Sequence, residues 1–109
     1  MAKATYVQIG ENLDYKNETE TAIAAGDLVK LETRVGVAAT EILAGETGAV
    51  CVRGVFKMPK SGTAAVKMGA LVYFDGTGIT NTAGTNTPAG YAAASAAAAD
   101  TEILVNLLG

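Results

Sequence analysis

Residues 42–62, ILAGETGAVCVRGVFKMPKSG, decide the fold class. A glycine turn, Gly45-Glu46-Thr47-Gly48, opens the stretch. Val50, Val52 and then Val55 stand against Cys51, Arg53 and Lys57, the period-two pattern of a half-buried β-strand. Gly54 interrupts the alternation and predicts a bulge or a close backbone approach. Pro59 and Gly62 end the strand.

The same reading extends outward in both directions. Residues 2–9, AKATYVQI, suggest a short strand, and the polar part from Asp14 to Thr21 an arm or loop. Ile23–Asp27 predicts a turn. Leu28–Glu32 and Val35–Ala39 predict strands. A loop over 60–69 leads to a strand at Ala70–Phe74 that stops at Asp75-Gly76, a good turn dipeptide. Residues 76–88, GTGITNTAGTNTP, form a polar loop of the kind that stays at the surface. Ala89–Ala94 and Thr101–Leu107 predict the last strands. In the final one Ile103, Val105 and Leu107 share one face, and Glu102, Leu104 and Asn106 the other. The alanine run 92–99 has helical propensity, but so short a helix is marginal in water, and strand followed by turn is the preferred reading.

The chain thus predicts an all-β fold: a small β-barrel or sandwich of about seven short strands with long polar loops. An N-terminal arm over 1–20 with a short edge strand precedes a domain over 21–109. A weak internal repeat is visible. Ile23-Ala24-Ala25-Gly26-Asp27-Leu28-Val29 resembles Val66-Lys67-Met68-Gly69-Ala70-Leu71-Val72, and Val35-Gly36-Val37-Ala38-Ala39 resembles Ala89-Gly90-Tyr91-Ala92-Ala93. Two related three-strand units and chance similarity in an Ala/Gly/Val-rich chain are both open at this point.

Composition narrows the chemistry. The 109 residues suit one domain with little stabilising margin. Half are hydrophobic, but much of that is alanine, with no Trp and only Phe56 and Phe74 as phenylalanines. So thin a core makes oligomerisation a plausible source of stability. The formal net charge is −3. Residues 53–67 hold Arg53, Lys57, Lys60 and Lys67 without an acid, which is sparse for a nucleic-acid face. Such cations also block edge-to-edge strand pairing. Cys51 is the only cysteine, so there is no intrachain disulfide, and with no histidine in the chain it has no imidazole base. Neither a zinc nor a haem ligand set is present. Glu11, Asp14, Glu18 and Glu20 lack the glycine-punctuated spacing of a calcium loop. No phosphate-binding loop occurs; Lys60-Ser61-Gly62 only echoes the end of one. The N-terminus lacks the apolar core of a signal peptide, and no run is apolar enough to span a bilayer. No enzyme, cofactor, nucleic-acid or membrane role is expected.

The order AxxAGDLVKL, VGVA, ILAGETGAVCVRGVFKMPK, GALVYFD, AGYA and a terminal TEILVNLL, over about residues 4–108, resembles the DUF2190 family of phage and prophage proteins. These are described as capsid cement or decoration proteins. Some members carry an old label as RecA/RadA-type recombinases, which a chain without a nucleotide-binding loop does not support. The resemblance implies a small β-rich protein, a homotrimer, on the outside of the expanded icosahedral head near local three-fold positions of the major capsid protein. Its location would be the virion surface, after synthesis in the host cytoplasm. The expected capsid contact is the N-terminal segment: Lys3 and an edge motif of Thr5, Tyr6, Val7, Gln8 and Ile9, with Tyr15 as a further aromatic anchor. The loop 76–88 is a second candidate. Phe56, Met58, Met68 and Phe74 are expected in the core. The alternatives are a small β-barrel module for carbohydrate or peptide, which needs a groove with clustered aromatics, and a DNA-binding accessory protein, which the acidic balance disfavours.

Overall fold

Apolar alternation runs through most of this chain, and it forms strands alone. The computed structural model describes residues 2–5 and 11–108, and no helix occurs among them. Nine strands are β1 (Asn12–Lys16), β2 (Leu28–Leu31), β3 (Arg34–Ala38), β4 (Thr47–Cys51), β5 (Arg53–Pro59), β6 (Leu71–Phe74), β7 (Ile79–Thr80), β8 (Thr87–Ala92) and β9 (Glu102–Leu108). They make two antiparallel sheets, ordered β1-β4-β3-β2 and β5-β9-β8-β6-β7. The two ends of the second sheet are linked only by an isolated parallel bridge, Lys60 with Ile79, so the architecture is sandwich-like rather than a closed barrel.

Several expectations change in detail. Residues 2–5 carry no regular structure, and the rest of the expected first strand, through Ile9, lies largely outside the described residues. The first strand is β1, in a stretch that reads as polar. Leu13 and Tyr15 alternate there with Asn12, Asp14 and Lys16, and Tyr15 packs on an apolar cluster. The long central strand is two strands in two sheets, divided at Val52, which is buried. Its inward face keeps an even phase through Val50, Val52, Phe56 and Met58, and Val55 points out at 55% exposed. Gly54 therefore does not shift the alternation; it supplies a positive φ of 116° just after the crossover. The polar loop over 76–88 is not wholly at the surface, because Ile79 is fully buried and forms β7. Residues 93–100 are bends and turns after β8, as the strand-then-turn reading expects.

The repeat is real in the structure, and larger than the sequence suggests. Each unit has four strands: β1 to β4 in the first, and β5, β6, β8 and β9 in the second. In each, three successive strands form a meander and the first strand lies beside the last. Ala38 faces Val50, as Ala92 faces Val105; Leu13 faces Val50, as Phe56 faces Val105. Backbone hydrogen bonds recur in pairs. Gly26 N donates to Ala38 O at 2.8 Å, and Gly69 N to Ala92 O at 2.7 Å. Ile23 and Ile42 exchange two bonds, and so do Val66 and Ala96. Each of these two-bond bridges ties together a pair of arches that closes over one face of its sheet. The units differ chiefly between their second and third strands. The first turns through Glu32-Thr33, whereas the second takes the long excursion Asp75–Asn86.

Equivalent positions fill equivalent cores. Val29, Ala38, Ile42, Val50 and Val52 form the first cluster, and Val72, Ala92, Ala96, Val105 and Leu107 occupy the matching places in the second. One exchange is reciprocal. A Cβ on Gly48 would stand 2.5 Å from Ile42 Cγ1, so β4 must be bare beneath that isoleucine. In the second unit the arch residue is the small Ala96 and the strand residue is Ile103. Volume is conserved while its source moves from arch to strand.

The first unit also gives its other face to the second. Leu28, Val37 and Cys51 lie across from one another on the outward face of the first sheet. Val35 and Val37 are part of the second unit's core, and Leu28 and Cys51 pack against it. Strand β3 runs against β8. Within the second sheet Gly90 of β8 has no room for a side chain: a Cβ there would lie 2.1 Å from Asn106 O of β9, beside a register shift in the β6–β8 pairing.

The exchange at Ile42 and Gly48 predicts strong coupling. Gly48→Ile alone overpacks the site and costs about 1–3 kcal/mol. Ile42→Ala alone leaves a cavity and costs about 2–5 kcal/mol. The double variant reproduces the Ala96/Ile103 arrangement and is expected to be more stable than either single variant in urea melts. A double variant no better than the sum of the two would refute the proposed equivalence.

Candidate functional site

The described residues contain no group of three or more His, Cys, Asp or Glu side chains placed to hold a metal ion. No helix long and apolar enough to cross a membrane occurs among them. Four surfaces stand out.

The first is the N-terminal segment. Lys3 and Thr5 are exposed and without regular structure. Tyr6, Val7, Gln8 and Ile9 lie outside the described residues. Tyr15 is half-buried on β1, packed against the first unit's core rather than offered to solvent. The structure thus does not bring Tyr15 together with Lys3 and Thr5 as one exposed patch. The segment after β1 is firmly held. Asn17 is completely buried, and its amide donates to Thr21 O at 2.8 Å and Ile42 O at 3.0 Å. Its Oδ1 accepts from Thr19 N at 3.0 Å. Sequence reasoning missed this residue, which sits among acids and threonines with no apolar neighbour to mark it as interior.

The second surface is a groove between the sheets. Leu28, Val37 and Cys51 form one wall and Phe56, Met58 and Pro59 the other, around a cavity of about 480 Å³. Phe56 is its single aromatic, so it lacks the clustered rings that a carbohydrate or peptide groove needs. Cys51 is half-buried here as a free thiol. Met58 and, in part, Phe56 and Phe74 belong to the core, as expected. Met68 does not; it is 69% exposed on an arch.

The third is the outward face of the second sheet. Val55, Asn106, Tyr91 and Leu71 pair across β5, β9, β8 and β6 in a single row. Asn106 Nδ2 donates to Tyr91 Oη at 2.7 Å. Leu104 lies on the same face beside Lys57, and Lys57 approaches Glu102 at 4.0 Å in a solvent-exposed pair of little energetic weight. Lys60, by contrast, is turned back on the fold and donates to Ala98 O at 3.2 Å.

The fourth is the long excursion of the second unit. Asp75 Oδ1 accepts from Thr77 N at 2.8 Å and Gly78 N at 2.9 Å, and its Oδ2 accepts from Ser61 Oγ at 2.6 Å. Ser61 N in turn donates to Ile79 O. These bonds clip the excursion to the end of β5 and seat Ile79 in the core. The Ser61 hydroxyl first, then the Gly78 and Thr77 amides, hold the Asp75 carboxyl below the usual carboxylate range.

Together these features describe a duplicated all-β protein that presents surfaces. The comparisons agree. The family model for phage cement proteins matches residues 7–107, nearly the whole chain, and the protein belongs to that family. It is therefore a capsid-associated structural protein of bacteriophage. No curated protein and no solved structure gives a significant match.

Asp75 generates a pH prediction. A carboxyl depressed in the folded state adds stability above its unfolded pKa, about 3.9. That contribution is lost as the pH falls from there through the lower folded value. Asp75→Ala is expected to cost about 1 kcal/mol at neutral pH, discounted for exposure, and less once both states are protonated, when only the neutral carboxyl's hydrogen bonds remain; the gap should therefore narrow in acid. Thermal melts of both proteins from pH 7 down to pH 2 check this. A gap between them that does not narrow in acid would contradict it.

Proposed function

We propose that this chain is a head decoration protein that binds the outside of the expanded icosahedral capsid, near local three-fold positions, and stabilises it without chemistry. The observation that carries the reading is the family match over 7–107. The partner is the major capsid protein, the working form is a homotrimer, and the protein reaches the virion surface after synthesis in the host cytoplasm. Each copy adds contact area at a junction of shell subunits, and many weak symmetric contacts sum by multivalency. Preference for the expanded shell follows if the contact surfaces line up only after maturation, because a ligand shifts an equilibrium only by its differential affinity.

The contact we propose is the N-terminal arm, 1–20, through Lys3, Thr5, Tyr6, Val7, Gln8, Ile9 and Tyr15, ahead of the domain over 21–109. Two features support it. The arm runs into β1, which is an edge strand of the first sheet among the described residues, the kind of position at which strands add. Tyr6 and Ile9 are side chains of the kind that anchor interfaces. Tyr15 contributes by fixing β1 to the core beneath it.

The test is co-sedimentation with undecorated heads before and after expansion. Saturable binding to expanded heads alone, at a fixed ratio to the major capsid protein, is expected. The double variant Tyr6→Ala/Ile9→Ala should weaken it about tenfold or more. A folded chain that binds neither form of the head contradicts the reading, and equal binding to both forms contradicts the maturation step.

A further inference from the structure

The duplication allows each face of one unit to be compared with the same face of the other. In the first unit Leu28, Val37 and Cys51 form the outward face, and the second unit packs against it across the groove. Their counterparts are Leu71, which is exposed, and Tyr91 and Asn106, which are half-buried. Leu71 is 57% exposed, and Val55 in the same row is 55% exposed. The face keeps leucine, valine and tyrosine where a solvated sheet would carry polar side chains.

The opposite end of the molecule has a matching deficit. The first unit's core side carries Leu13 on β1, 41% exposed, and Leu43 on the arch above, 48% exposed. Charge runs the same way. Residues 11–51 hold eight acids and three bases, whereas residues 53–108 hold three acids and four bases. Arg53 and Lys57 stand on β5 at the border of the open row, Lys57 with Glu102 4.0 Å away, and Glu11 stands two residues before Leu13, whereas Asp14 lies on the opposite face of β1.

We propose that the outward face of the second unit seats the first unit of a second copy of this chain, head to tail. The contact repeats between chains what the units do within one: an outward face is laid on the core side of the next unit. It brings Val55, Leu71, Tyr91 and Leu104 against Leu13 and Leu43, with the basic border of one copy on the acidic unit of the other. Such a contact is heterologous, so it closes into a ring or propagates.

Sedimentation equilibrium tests it with wild type, Leu71→Arg, Leu13→Arg and an equal mixture of the two variants. Val55→Arg serves as a second disruption of the same row, and circular dichroism verifies folding. Wild type is expected to exceed the monomer mass of 11.0 kDa, less so in about 0.5 M salt, where exposed charges are screened. Each variant alone should be a monomer. Their mixture should give a dimer and nothing larger, because one intact face remains on each partner. A wild type that is monomeric at millimolar concentration overturns the proposal. So does a Leu71→Arg variant that associates like wild type, or a Leu13→Arg variant that dimerises alone, which marks a two-fold contact. The surface stands or falls apart from the capsid reading: a chain that self-associates but ignores heads fails only the latter. Loss of head binding by Leu71→Arg with self-association intact would assign the face to the capsid and overturn this assignment.

Discussion

The structure depends on one contact, the laying of β3 from the first unit onto the core of the second. Each unit taken alone is a four-stranded sheet with one face closed by short arches. Its core is a handful of valines, isoleucines and alanines, the larger side chains each contributing about 1.5–3 kcal/mol when fully buried and the alanines less. A single core in a chain below about 70–80 residues seldom suffices for independent stability. Val35 and Val37 remove that limit by serving two structures at once: they are strand residues of the first sheet and filling for the second. The crossover at Val52 keeps the two units adjacent in the chain, so their association carries no translational cost.

That economy has a consequence for function. A fold made of two like units, each with an outward face, can satisfy only one of those faces internally. The surplus appears as the Val55–Asn106–Tyr91–Leu71 row. Among the described residues no three His, Cys, Asp or Glu side chains are grouped to hold a metal ion, and the chain belongs to a family of capsid-associated structural proteins. Exposed apolar sheet, edge strands and a charge difference between the two ends are what such a protein has to work with.

Much of this was legible in the residues, for a physical reason. Where one face of a strand is buried and the other wet, the alternation is written directly in the side chains. Leu28–Leu31 and Glu102–Leu108 could be found that way, and the final strand's two faces fell as read, whereas Arg34–Ala38 is buried on both faces and was legible only as a short apolar run. The repeat was visible where glycine turns and valines recur. Its first strands were not, because β1 and β5 share almost no residue types: Leu13 stands for Phe56, Tyr15 for Met58 and Asp14 for Lys57. Only register reveals them as equivalents. Val52 hid the division between sheets because the apolar phase continues through it unbroken. Ile79, a lone large apolar residue in a tract of threonine, glycine and asparagine, gave no periodic signal. The surface row was also unreadable, since Leu71 and Tyr91 look like core until the strand pairing places them on the outer face.

The most direct measurement is a reconstruction of the native virion at a resolution that traces side chains. The account predicts this chain on the outer shell, its N-terminal segment against the major capsid protein, and a neighbouring copy seated over Leu71 and Tyr91. A shell without this chain, or one that carries it with the Leu71 row facing solvent and the arm free of the capsid, would contradict it.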